Sequence, residues 1–248
     1  MATELKNKYV IWKNLGETPL EALTRLSDEL KIPKEIPLTY AGRLDPMAEG
    51  LLIILVGDEC KKKEEYTTLP KTYMAEILID VSTDSYDLLG IPNFDGKALN
   101  ILKNTKEYLD EHIGLQIQKY PPYSSKTVDG KQLHTHAREG TSVEIPEHEV
   151  NLISYEDLSI EEILTEDVLV RVGEITSAVT GDFRQNEIVE AWANIKLPEK
   201  LALISVTLNV GSGFYVRQFA EDLGKHLGTG ACLYSLIRTQ VGEYTKIT

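Results

Sequence analysis

One carboxylate stands apart in this chain. Asp45 lies in Tyr40-Ala-Gly-Arg-Leu-Asp45-Pro-Met-Ala-Glu-Gly50, directly ahead of the apolar run 51–56. Pro46 pushes Asp45 out of helical geometry, and Gly42 and Gly50 allow tight turns on either side. Residues 51–56 have the length and composition of a fully buried strand. An acid held at the edge of a rigid sheet is how a scaffold presents a nucleophile. The same residues also describe an Asx-Pro turn leading into a core strand. Two further segments have to be read with it: Leu69-Pro-Lys-Thr-Tyr73, and Gly213-Phe-Tyr-Val-Arg217-Gln-Phe-Ala-Glu-Asp-Leu-Gly224.

The elements that must position these groups follow from the pattern of apolar residues. Residues 9–31 read as a strand, a turn at Gly16 and a helix. Thr18 is its cap, Pro19 its first residue, and Leu20, Leu23, Leu26 and Leu30 its apolar stripe. Residues 73–81 read as a long strand, 99–112 as an amphipathic helix, 203–210 as a strand, 214–227 as a helix and 231–241 as a returning strand. The stretch 118–140, with Pro121-Pro122 and Gly130, reads as a long functional loop with one helical turn near its end. This order predicts an α+β fold rather than a doubly wound sheet.

With 248 residues, 42% hydrophobic and 26% charged, the composition is that of a soluble globular protein with a sizeable core. No apolar run approaches the roughly 20 residues that span a bilayer, and the leading residues lack the apolar core of a signal peptide. Cys60 and Cys232 are isolated, which argues against a disulfide framework or structural zinc and for small core residues in a reducing cytoplasm. The net charge of −13 at first excludes a nucleic-acid partner, but its distribution reverses that impression. The window 144–190 holds 13 acidic side chains against Arg171 and Arg184 alone. Basic side chains cluster at Lys61–Lys63, at Lys71, between Lys126 and Arg138, and between Arg217 and Arg238. A basic face on an otherwise acidic protein remains open.

The three segments named above, with Gly230-Ala-Cys-Leu-Tyr-Ser-Leu236-Ile-Arg238 and the loop Tyr120-Pro-Pro-Tyr-Ser-Ser-Lys126, resemble the TruB-type pseudouridine synthases. Those enzymes isomerise the T-loop uridine of transfer RNA. The resemblance covers 9–140 and 203–244. It implies one catalytic domain over 1–248 with the pseudouridine synthase fold: a mixed, mainly antiparallel bent sheet, flanking helices and a central RNA cleft. It implies a thumb at 118–140 that is mobile without RNA. The family's C-terminal PUA domain has no counterpart, because the chain stops seven residues after Val241.

Residue by residue, the resemblance makes Asp45 the essential aspartate, attacking sugar or base or acting as base at the 2′ carbon, with neither metal nor other cofactor. Arg217 becomes the arginine that aims it, and Tyr73 the tyrosine that stacks on the base and accepts the C5 proton. Leu236 would line the pocket floor, and Lys13 matches a lysine of the opening motif. Lys126, Lys131 and Arg138 are candidate phosphate contacts. Tyr40 stands where the family commonly has a histidine, and Arg43 makes Gly-Arg-Leu-Asp closer to sister families acting on ribosomal RNA. The acidic stretch 144–198 reads as an insertion with two or three helical patterns, facing away from RNA and available to another protein. The implied partner is RNA, foremost the T-arm of transfer RNA around uridine 55, bound by a monomer. The alternatives are another RNA substrate, or an RNA-binding and tRNA-folding module without catalysis.

Overall fold

The computed structural model describes residues 5–96 and 98–245, so the first four residues of the N-terminal reading lie outside it. The chain opens with β1 (Lys8–Lys13), turns at Gly16 and enters α1 (Pro19–Leu30). The helix start is a capping box: the Glu21 N–H donates to Thr18 Oγ1, and the Thr18 N–H donates 2.7 Å to the Glu21 carboxylate. Next come β2 (Leu38–Ala41) and β3 (Glu49–Val56), the latter buried at every position after the first. The connection between them carries Asp45. Leu44, Met47 and Ala48 on that connection are buried, and the Gly16 N–H donates to Pro46 O, so the loop is fastened at both ends. Gly50 sits at φ +121°, where an added Cβ would stand 2.3 Å from the Arg238 carbonyl oxygen. Only glycine permits that approach.

A short helix α2 (Lys63–Thr67) leads into the central strand β4 (Lys71–Ile79), and β5 (Val81–Thr83) with β6 (Pro92–Phe94) forms a small side ladder. Helix α3 (Ile101–Glu111) and strand β7 (Gly114–Lys119) precede the thumb. That segment contains a hairpin, β8 (Thr127–Val128) with β9 (Lys131–Gln132), and helix α4 (Leu133–Glu139). Then follow β10 (Glu147–Leu164), α5 (Thr165–Ala178), α6 (Gln185–Asn194), β11 (Lys200–Val210), α7 (Val216–His226), β12 (Ala231–Val241) and β13 (Tyr244–Thr245). The main sheet runs β1-β3-β12-β4-β11-β10-β7, with β2 on β3 and β13 on β12. Every pairing is antiparallel except β3 with β12. Among the described residues no helix is long and apolar enough to cross a membrane.

The acidic stretch holds two helices, α5 and α6, in line with the helical patterns read there, but its first third is a strand the sequence reading lacks: β10, 18 residues long and paired to both β7 and β11 within the main sheet. Its alternation is broken by register shifts between Leu152 and Ser154 and between Glu156 and Ser159, which hides the period of two. In the thumb, the helical turn expected near its end is α4, whose Leu133 and His136 are buried and which ends on Gly140 at φ +65°. Of the cysteines, Cys232 is buried as expected and Cys60 is half-buried.

Candidate active site

Asp45 stands where the β2–β3 loop meets the first turn of α7. That helix buries Val216, Phe219, Ala220 and Leu223, which fixes its rotation and turns Arg217 inward. Gln118 on β7 clamps the start of the helix: its Oε1 accepts from the Tyr215 N–H at 2.8 Å and its Nε2 donates to Tyr215 O at 3.0 Å. Arg217 is 4% exposed, and all three of its nitrogens are used. Nε donates to Asp45 Oδ2 at 2.7 Å, Nη1 to Ser85 O at 3.0 Å and Nη2 to Tyr123 O at 3.1 Å. The guanidinium is therefore locked, and it locks one carboxylate oxygen of Asp45 while 38% of that side chain stays open.

A second acid shares this arginine. Asp87 is buried, its Oδ2 is 3.6 Å from Arg217 Nε, and its Oδ1 accepts from Ser85 Oγ and from the Leu89 N–H. Burial pushes the Asp87 carboxyl up to about 6, outweighing the attraction of Arg217. Burial opposes the charge of Arg217 as well, but Asp45 and Asp87 together raise it above the usual arginine range. Because the folded protein holds the Asp87 proton more tightly than the unfolded chain, this group's stabilising contribution is full at low pH and declines as pH rises towards 6. Thermal unfolding from pH 4 to 7 should therefore show wild type losing stability relative to Asp87→Asn up to about pH 6, and a constant gap above it. A gap moving the other way would mean that Arg217 rather than burial governs the acid.

Two cavities of about 400 and 410 Å³ flank Asp45. Tyr40, Arg43, Leu44, Tyr215 and Arg217 line both. The first continues over Tyr73 and Leu236. These come from neighbouring central strands, β4 and β12, where Tyr73 pairs with Arg238 and Leu236 with Ala75. Strand alternation puts Lys71, Tyr73 and Ala75 on one buried face of β4. The second cavity opens toward the thumb over Tyr123, His134, Arg138 and Phe183. Burial pushes the Tyr215 hydroxyl up, and Asp45 adds to it.

The structure thus brings together Asp45, Tyr73, Arg217, Tyr40, Arg43 and Leu236. Lys13 is 0% exposed rather than a surface residue; its Nζ donates to Asn14 O and Glu17 O, closing the turn into α1. Burial lowers its ammonium to about 8 against the opposing pull of Glu17 and Asp45. Of the thumb cations, Arg138 lines the second cavity but lies over the Phe183 ring and donates to Asp182 O. Lys131 is ion-paired with Glu139 at 2.8 Å, and Lys126 lies over the Tyr120 ring. Neither lysine lines either cavity.

The acidic stretch does not point wholly away from the site, as Phe183 lines the second cavity and Arg184 pairs with Asp84 at 2.8 Å beside Tyr123. None of its carboxylates lines either cavity, however. Sequence reasoning passed over Asp87, Tyr123 and Tyr215, and it gave no role to Lys71 and Arg238. An acid inside Thr83-Asp-Ser-Tyr-Asp87-Leu-Leu, at the end of a buried strand, is the signal that could have drawn attention to Asp87.

Residues 32–176 match the family described as TruB family pseudouridylate synthase, N-terminal domain. The chain is 32% identical over 236 residues to tRNA pseudouridine synthase B of Aquifex aeolicus, covering 94% of this chain and 68% of that protein. It is 27% identical to the protein of the same name from Ureaplasma urealyticum, covering 99% and 90%. Among solved structures, a Cbf5–Nop10–Gar1 complex matches at a TM-score of 0.55 with 17% identity. An H/ACA RNP bound to a substrate RNA containing 2′-deoxyuridine matches at 0.53 with 16% identity. The alignments cover 96% of this chain but only about half of each solved chain. At that identity the likeness concerns the fold alone, which is the α+β pseudouridine synthase fold. The family match runs through β10 and most of α5.

Proposed function

Because the chain belongs to the TruB family of pseudouridylate synthases, we propose that it converts uridine to pseudouridine in transfer RNA, at position 55 of the T-loop. The observation that carries this reading is the Asp45–Arg217 pair at 2.7 Å, set beside a cavity walled by Tyr73 and Leu236. A uridine stacked among its neighbours is out of reach of a carboxylate set in a cleft, so the base must be flipped into the cavity at a cost of a few kcal/mol. Tyr73 offers an aromatic face on which a flipped pyrimidine stacks, and Leu236 an apolar surface beneath it. Tyr40, on the rim shared by both cavities, is placed to stack in the space the base vacates.

The isomerisation breaks the bond between C1′ and N1, rotates the base and joins C1′ to C5. The hydrogen displaced from C5 leaves as a proton and N1, freed from the sugar, takes one up, so product and substrate are isomers and neither an oxidant nor a hydrolytic water is needed. Asp45 serves as the nucleophile or base that starts the sequence, and Arg217 holds it in position. Tyr73 accepts the C5 proton. The working unit is taken as a monomer, acting in the cytoplasm on the T-arm. Incubating unmodified transfer RNA with the protein and mapping pseudouridine by carbodiimide-dependent reverse-transcription stops should give one stop, at uridine 55. An isolated T-arm hairpin should give the same stop. Stops elsewhere, or only in ribosomal RNA, would overturn the choice of substrate.

A further inference from the structure

Two cations lie buried beside the reaction site without a counter-ion among the described residues. Arg238 is 1% exposed and Lys71 is 6% exposed. Arg238 Nε donates to Leu51 O at 2.7 Å and Nη1 to Arg43 O at 2.9 Å, while its buried Nη2 has no partner. The Lys71 ammonium donates to Thr67 O. Burial and the neighbouring Arg238 push that ammonium down to about 8, and no carboxylate offsets them. A Cβ on Gly42 would lie 3.7 Å from Arg238 Nη1 and 3.8 Å from Lys71 Cε, so the two cations converge beneath that glycine. Both line the first cavity, as do Arg43 and Lys63. Its acids are Asp45, already taken by Arg217, and Glu64.

Two like charges buried together are unfavourable until an anion reaches them. A guanidinium edge with a free N–H beside an ammonium suits a tetrahedral oxyanion, which accepts from both at once. We infer that Lys71 and Arg238 cradle a single backbone phosphate of the RNA, adjacent to the nucleotide whose base enters the cavity over Tyr73. The inference rests on the RNA-isomerising reading above and adds to it a specific anchor. The sugar–phosphate is gripped from the sheet side, while the base is held against Tyr73 and Leu236. The free protein carries the unpaired charge as a stability penalty that bound RNA removes.

The test is equilibrium binding of a T-arm hairpin over a range of salt, using wild type and Lys71→Gln. Hairpins carrying one neutral methylphosphonate at successive linkages around the target uridine complete the set. Lys71→Gln is expected to bind about tenfold more weakly at low salt. Its slope of log affinity against log salt should be shallower by about 0.7 to 0.9, as for one phosphate contact. It should melt no lower than wild type, since a buried charge has gone. One methylphosphonate position should weaken wild type by about tenfold and leave the variant unaffected. Arg238→Gln should silence the same position. The inference is overturned if wild type binds the hairpin while Lys71→Gln keeps its affinity and slope, or if every methylphosphonate weakens variant and wild type alike. A lower melting temperature with an unchanged slope would assign Lys71 to the fold instead. If wild type itself neither binds nor modifies the RNA, the functional reading fails first and takes this inference with it.

Discussion

Asparagine in place of Asp45 is expected to lower pseudouridine formation by at least about 10⁴-fold, as removal of a group that bonds to the reacting atoms does. Affinity for RNA should change by less than about threefold, because the substitution keeps the size of the side chain and its hydrogen bond from Arg217. The structure supports this separation. Asp45 contributes one partly open carboxylate to a wall that includes Tyr73, Leu236, Tyr215 and Arg43. Single-turnover kinetics and filter binding of the same preparation check it. An affinity loss as large as the rate loss would place Asp45 among the binding groups.

Methionine in place of Arg217 should damage both chemistry and fold. It removes the 2.7 Å contact that aims Asp45 and the two donors to Ser85 O and Tyr123 O, and it leaves Asp87 buried without its cation. Breaking a buried pair from one side costs about 3 to 5 kcal/mol. In a chain of this size that is a fall in melting temperature of about 6 to 20 °C. Adding Asp87→Asn to Arg217→Met should recover a large part of that fall, since the stranded acid is then neutral. Activity should stay low in the double variant. A full loss of stability in the double variant would show that the bonds to Ser85 and Tyr123, rather than the charge on Asp87, carry the effect.

Much of this site was legible because its residues sit in segments with strong local signals. Pro46, Gly42 and Gly50 mark the Asp45 loop, the apolar run behind it marks β3, and the spacing of 216, 219, 220 and 223 marks α7 with Arg217 on its inner face. Thr18 and Glu21 announce α1 by a capping box that depends on four consecutive residues alone. What was not legible depends on distant partners. Nothing near Lys13 shows that the turn into α1 folds over it, or that its ammonium will close that turn on two carbonyls. Asp87 becomes part of the site only through Arg217, 130 positions later in the chain. Lys71 and Arg238 looked like members of surface basic clusters. Pairing of β4 with β12 turns both into the sheet's buried face. The acids of β10 imitated a solvated helix because two register shifts disturb the strand's alternation.

The central claim is that Asp45, held by Arg217 beside Tyr73, drives the exchange of a uridine's N1 link for a C5 link. Its most direct test is tritium release from unmodified transfer RNA labelled at C5 of uridine, with wild type and Asp45→Asn side by side. Release by wild type, approaching one tritium per RNA molecule, with none from the variant, is the predicted result. Equal release from both proteins, or tight RNA binding by wild type with no release at all, would contradict it.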